Sequence, residues 1–281
     1  MTHPEVVVVG FDSAWTDKPG RPGAICAAHW RGRACAGFEP PRLASFAEGI
    51  SFIREVERPG VALIVALDQP TIVRNQTGSR PVDKIAGSLI SWMGGGVQPA
   101  NRSKVGMFDD RAPIWGFLID LAAVQAPEDA RSAGSGRHLI EVFPALALAA
   151  LDPAFFGRNL GPRYNPQRRK TFKIDHWCAV LRVVADEARR LGCDGAATWV
   201  GNLDQEQVRK EDQDRLDALI CLLVGLRWRL EPRARSVMIG CLDHGYMIAP
   251  TTAMMHERLS TAAALRGVPV DKFIQPAGIN A

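Results

Sequence analysis

No stretch of this 281-residue chain approaches the roughly 20 consecutive apolar residues a bilayer-spanning helix needs. The first residues reach Glu5 too soon to form the apolar centre of a secretion signal. Both absences lead us to expect a soluble cytoplasmic protein with no membrane partner. The six cysteines include no C-x-x-C pair and no structural-zinc spacing, which argues against a zinc ribbon or a disulfide scaffold and leaves buried, reduced thiols. The six histidines show neither H-E-x-x-H nor paired spacing, so zinc-protease chemistry and a histidine nucleophile are not indicated. The run Gly94-Gly95-Gly96 lacks the Lys-Ser/Thr of a phosphate-binding P-loop and reads as a hinge. The formal net charge of +4 is small for the length, so a nucleic-acid surface must come from local clustering of Arg and Lys. There is no internal repeat or low-complexity tract, and 47% hydrophobic residues suffice for a sizeable core.

What is present is a regular alternation of elements. Residues 6–11 are a continuous, mostly β-branched run ending at Asp12, as in a central strand buried on both faces. Residues 24–30 and 34–38 flank Arg31-Gly32-Arg33 and predict a hairpin. Residues 44–56 place Phe46, Ile50, Ile53 and Val56 at helical spacing before Pro59-Gly60, and residues 61–67 form a second wholly apolar strand. An order β-β-β-α-β, with an acid after the first and fourth strands, belongs to mixed α/β sheets whose ligands collect at strand ends.

From Gln69 to about Gly136 the periodicity weakens, which predicts a long insertion with a helix only at residues 112–124. Strand character resumes at residues 138–143, and a short helix follows Pro144 as far as Leu151. Residues 159–169 read as a loop, residues 172–191 and 211–230 as long helices, residues 237–249 as a hairpin and residues 261–266 as a terminal helix. The expected organisation is one domain over residues 1–250, interrupted at about 69–136, with a C-terminal extension over 251–281.

Five carboxylates stand out against this pattern. Asp12 and Asp68 each close an apolar strand, Glu141 sits inside one, and Asp214 and Asp217 share a helix face. Each has a plain structural alternative: a turn aspartate for Asp12 or Asp68, an edge-strand glutamate facing water for Glu141, a helix-dipole partner for the helical pair. If the first and fourth strands are parallel neighbours, however, Asp12 and Asp68 lie side by side. Converging acids repel unless a cation lies between them, and divalent ions with hard oxygen ligands serve that purpose in phosphoryl transfer.

Four short motifs carry a resemblance. Gly10-Phe11-Asp12-Ser13-Ala14-Trp15, Leu67-Asp68-Gln69-Pro70, Ile140-Glu141-Val142-Phe143-Pro144 and Asp214-Arg215-Leu216-Asp217-Ala218-Leu219 stand in the order seen in the family called domain of unknown function 429. The chain resembles that family from its first strand to its late hairpin, and the family in turn resembles the ribonuclease H-like superfamily and is described as a predicted nuclease. The resemblance implies an α/β fold: a mixed five-stranded sheet, three strands antiparallel and then parallel strands, flanked by helices, with a large insertion after the fourth strand. It implies catalytic Asp12, Asp68 and Asp217 with Asp214 as second helix acid, holding two Mg2+ or Mn2+ ions, and Glu141 as a further candidate ligand. The Asp-x-x-Asp-Ala-Leu helix is similar to that of the resolvase branch.

Basic residues supply the candidate substrate contacts. Arg74, Asn75 and Arg80 follow Asp68, Arg102 and Lys104 follow the glycine run, and Arg163, Arg168, Arg169, Lys170 and Lys173 form the densest cluster. These are phosphate-contacting positions or solvated loop charges. Trp15 is a candidate for base stacking, whereas Trp92 and Trp115 read as core. The expected activity is metal-dependent phosphodiester hydrolysis on nucleic acid of unspecified type. The competing expectations are a catalytically weak nucleic-acid or nucleotide-binding protein of the same fold, and a small-molecule phosphotransferase.

Overall fold

The computed structural model describes residues 3–18, 20–32 and 34–271. The apolar run at the start forms β1 (His3–Asp12), followed by the antiparallel β2 (Gly23–Gly32) and β3 (Ala34–Ala44). β3 carries Pro40 and Pro41 and is largely exposed, as suits a sheet edge where a missing N–H costs no ladder bond. Helix α1 (Phe46–Val56) starts at a reciprocal cap in which Ser45 Oγ accepts from the Glu48 N–H and the Glu48 carboxylate accepts from the Ser45 N–H. It leads into β4 (Ala62–Leu67), which lies parallel to β1.

The insertion holds α2 (Pro81–Trp92), α3 (Pro113–Leu121) and the single turn α4 (Pro127–Ala130) before β5 (Gly136–Glu141), parallel to β4. The sheet order is β3-β2-β1-β4-β5, a mixed five-stranded sheet consistent with a ribonuclease H-like fold. After β5 come α5 (Pro144–Leu151), α6 (Ile174–Arg190), α7 (Asp194–Gly201), α8 (Lys210–Leu230), the hairpin β6 (Ser236–Cys241) and β7 (Gly245–Pro250), and α9 (Ala253–Ala264).

The two faces of the sheet carry different cores. Val6, Val8, Ala62, Ile64, Ala66, Ile140 and Val142 face α6 and α8, while Val7, Val9, Phe11, Leu63, Val65, Leu67 and Leu139 face α1 and α3. Helix α8 crosses β1 at unusually short range, because a Cβ on Gly10 would stand 2.1 Å from the Ala218 carbonyl and one on Gly225 2.6 Å from Val8. That close approach brings the start of α8 to the end of β1.

The insertion is more ordered than its sequence suggested. Val82, Ile85, Ala86, Leu89 and Ile90 form an apolar stripe on α2 that packs with Val237 and Ile239 of β6 and with Met255 and Leu259 of α9. Their spacing was visible in the sequence, and so was Pro81 at the first helical position. The last helix also starts earlier than expected, at Ala253, capped by Thr252. Among the described residues no helix is long and apolar enough to cross a membrane. The six cysteines are free, though only Cys26, Cys193 and Cys221 are buried.

Candidate active site

Parallel pairing of β1 with β4 matches Phe11 to Leu67, and the Asp68 N–H donates to the Phe11 carbonyl at 2.9 Å. The next residue on each strand is therefore an aspartate, and both lie on the α8 side because they keep the even-numbered parity of Val8, Gly10 and Ala66. The connection after β1 is held down locally. Ser13 Oγ donates to Gln69 Oε1, and the Trp15 indole N–H donates to the Asp68 carbonyl at 3.0 Å. Trp15 has a left-handed backbone, φ 52°, a conformation that costs a non-glycine residue about 1–3 kcal/mol and gathers at functional sites.

Helix α8 completes the group. Asp217 is buried, with Oδ1 accepting from Tyr164 Oη at 2.7 Å and Oδ2 from Gln213 Nε2 at 2.8 Å. Asp214 pairs with the Lys210 ammonium one turn earlier and is near enough to Asp12 for the two charges to act on each other. Burial, and then the charges of Asp217, Asp68 and Asp214, hold Asp12 well above the usual carboxylate range. Burial and then Asp217 and Glu141 do the same for Asp68. Burial pushes Asp217 up to about 6 against the lowering effects of Lys210, Tyr164 and Gln213. Lys210, which burial alone would lower, is raised by Asp12, Asp214 and Asp217.

These groups open into a cleft of about 310 Å3 lined by Asp12, Asp68 and Asp217, by Trp15, Tyr164 and Lys210, by Gly94, Gly95 and Gly96, and by Arg163 and Arg168. The loop that carries the two arginines is anchored to the end of α2, where Gly161 N–H donates to the Met93 carbonyl at 2.9 Å, and to α6, where His176 Nδ1 accepts from the Arg163 N–H at 3.0 Å. Neither guanidinium has an ion-pair partner among the described residues. Sequence reasoning noticed the basic run but missed Tyr164, Gln213 and Lys210. Lys210 and Gln213 each carried a signal, their i,i+4 spacing to Asp214 and Asp217.

Two residues from the sequence-based set take other roles. Glu141 keeps the odd-numbered parity of Leu139, so it turns to the sheet face opposite Asp12 and Asp68. There Arg80 grips it with two hydrogen bonds, Nη1 to Oε2 at 2.9 Å and Nη2 to Oε1 at 2.6 Å, and the Thr71 N–H adds a third at 3.0 Å. Arg80 is completely buried, bonded also to Asp83, and so is a brace between the insertion and β5 instead of a phosphate contact. Gly245 makes room for it, since a Cβ there would stand 2.9 Å from Arg80 Nη1.

The remaining basic candidates do not line the cleft. Arg74 is exposed, and the Asn75 amide ties its own loop by donating to the Thr77 and Ala100 carbonyls. Arg102 pairs with Asp110 and lies 4.8 Å above the Trp115 ring, and Lys104 is partly buried nearby. Arg169, Lys170 and Lys173 are exposed beside the cleft loop.

Among the described residues no three His, Cys, Asp or Glu side chains already form a ligand shell for a metal ion, so closing one requires the carboxylates to rotate toward a common point. The donor set nevertheless suits a hard divalent cation, because its members are oxygen ligands whose mutual repulsion such an ion would relieve. Comparison with curated proteins and with solved structures gives no match. The family described as "Protein of unknown function (DUF429)" does match, over residues 10–238, a span that contains the end of β1, all of β4, β5 and α8, and Asp12, Asp68, Asp214 and Asp217, and the chain belongs to that family.

Proposed function

We propose that this protein is a divalent-metal-dependent phosphodiesterase, and within that class a nuclease. The observation that carries the reading is the meeting of Asp12, Asp68 and Asp217, from two strands and a helix, in a cleft that also holds Arg163 and Arg168, with the charge of Asp214 acting on Asp12. Asp12 and Asp68 offer oxygen ligands from rigid strand ends. Tyr164 and Gln213 fix the orientation of Asp217. A bound Mg2+ or Mn2+ would supply the charge that polarises a phosphoryl oxygen and acidifies a water molecule. Arg163 and Arg168 present planar, multiple donors suited to phosphate oxygens, and Trp15 also lines the cleft.

A second reading draws on size. A cleft of about 310 Å3 is at the lower end for small-molecule sites, which favours one nucleotide or another small phosphate ester over a duplex inside the cleft itself. Hydrolysis of bis(p-nitrophenyl) phosphate, p-nitrophenyl phosphate and labelled single-stranded oligonucleotides, each with Mn2+, separates the readings. Diester and oligonucleotide cleavage that disappears in Asp12→Asn, with circular dichroism unchanged, is the expected result. Hydrolysis of the monoester alone moves the assignment to small esters. Metal binding with no hydrolysis moves it to a binding protein, and cleavage by Asp12→Asn at the wild-type rate sinks the mechanism.

A further inference from the structure

Lys210 stands where an ordinary surface lysine would not. It is the first residue of α8, and its ammonium turns inward to contact the Asp214 carboxylate and, at 3.2 Å, Gln213 Oε1. Gln213 passes the contact on to Asp217 at 2.8 Å. The same ammonium is near enough to Asp12, on a different element, for the two charges to act on each other. Its side chain is 30% exposed and lines the cleft, so it is a cation presented to a ligand and not one sealed in the core.

Resting on the metal-dependent reading above, we infer that Lys210 is a built-in cation of this site, taking the place of a second divalent ion, so that the chain binds one ion and not two. In a two-ion site the ions stand about 4 Å apart and each needs carboxylates of its own. Here Asp214 is engaged by the ammonium, which leaves Asp12, Asp68 and Asp217 for an ion. A divalent ion brought to the Asp214 side would meet the Lys210 charge at contact range. An ammonium with three donors on a flexible stem can follow a phosphate oxygen as charge builds on it, which a fixed ion pair in the core cannot do.

Titration of the full chain with Mn2+, read by calorimetry and by electron paramagnetic resonance, tests this without any assay of activity. The wild type should bind one Mn2+ with the spectrum of an isolated ion. Lys210→Gln should bind two, with the exchange-coupled spectrum of a close pair, and Lys210→Arg should return to one. Two ions on the wild type overturn the inference and leave the metal-dependent reading intact. A Lys210→Gln protein that still binds one ion at unchanged affinity also overturns it. No binding by the wild type overturns both together, and the wild-type result decides even if a variant fails to fold.

Discussion

Two acid clusters lie a few residues apart at the ends of β4 and β5, and they are built on opposite terms. Around Arg80, two carboxylates share one guanidinium, every group is at most 3% exposed, and the hydrogen bonds close on themselves. Around Asp12, four carboxylates share one ammonium, and three of them, Asp12, Asp68 and Asp217, face a cleft. The first cluster satisfies its charges internally and so serves the fold, tying the insertion to the sheet. The second keeps negative charge in excess, at a cost in stability, and that excess is what a bound cation can use.

Breaking the closed cluster should have the larger effect. Arg80→Met leaves Glu141 and Asp83 buried without a counter-charge, and urea unfolding should show a loss of about 3–5 kcal/mol. A loss within 1 kcal/mol would mean that the triad is not the brace described.

The open cluster should respond with the opposite sign. Asp217 is raised from its ordinary value of 3.8 to about 6, so the folded chain holds this proton more tightly than the unfolded chain. The associated stability is complete below about pH 4 and is lost as pH rises through about 6. In a chelating buffer at pH 7.5, Asp217→Asn should therefore melt higher than the wild type, by on the order of 2–3 kcal/mol, with the gap closing toward pH 4. A variant less stable than the wild type at pH 7.5 would place Asp217 with the structural acids.

The smallest effect compares two arginines. Arg168→Ala should weaken inorganic phosphate binding about tenfold, or about 1.4 kcal/mol. Arg102→Ala, already paired with Asp110 outside the cleft, should change phosphate affinity less than twofold and stability by under about 1 kcal/mol. Equal losses in both would remove the distinction between cleft and surface charge.

Much of this was legible in the chain. The run of valines in β1 and the apolar block of β4 announce central strands, and the acids after them announce a ligand end of the sheet. For Glu141 only the face was readable, by counting in twos from Leu139 once β4 and β5 are paired in register; the sequence offered it as a metal ligand or a water-facing edge residue, and its burial against Arg80 overturns both. Arg80 was not readable. Its burial depends on Glu141 from β5, on the glycine at position 245 and on the Ile72 carbonyl, and although Pro81 and Asp83 mark it as the residue before a helix, nothing local shows that it is buried. Arg163 and Tyr164 sit in a loop without periodicity, and anchors from distant parts of the chain, among them Met93, His176 and Asp217, hold that loop over the aspartates.

The sequence by itself therefore determined the order of strands and helices and the presence of unneutralised acids at strand ends, because hydrophobic period is a local property read over a few residues. The tertiary structure decided which acids meet, which one is claimed by an arginine, and which lysine turns in among the rest. Charge pairing depends on distance in space, and here that distance is set by Gly10 and Gly225, whose missing side chains let α8 come down on β1.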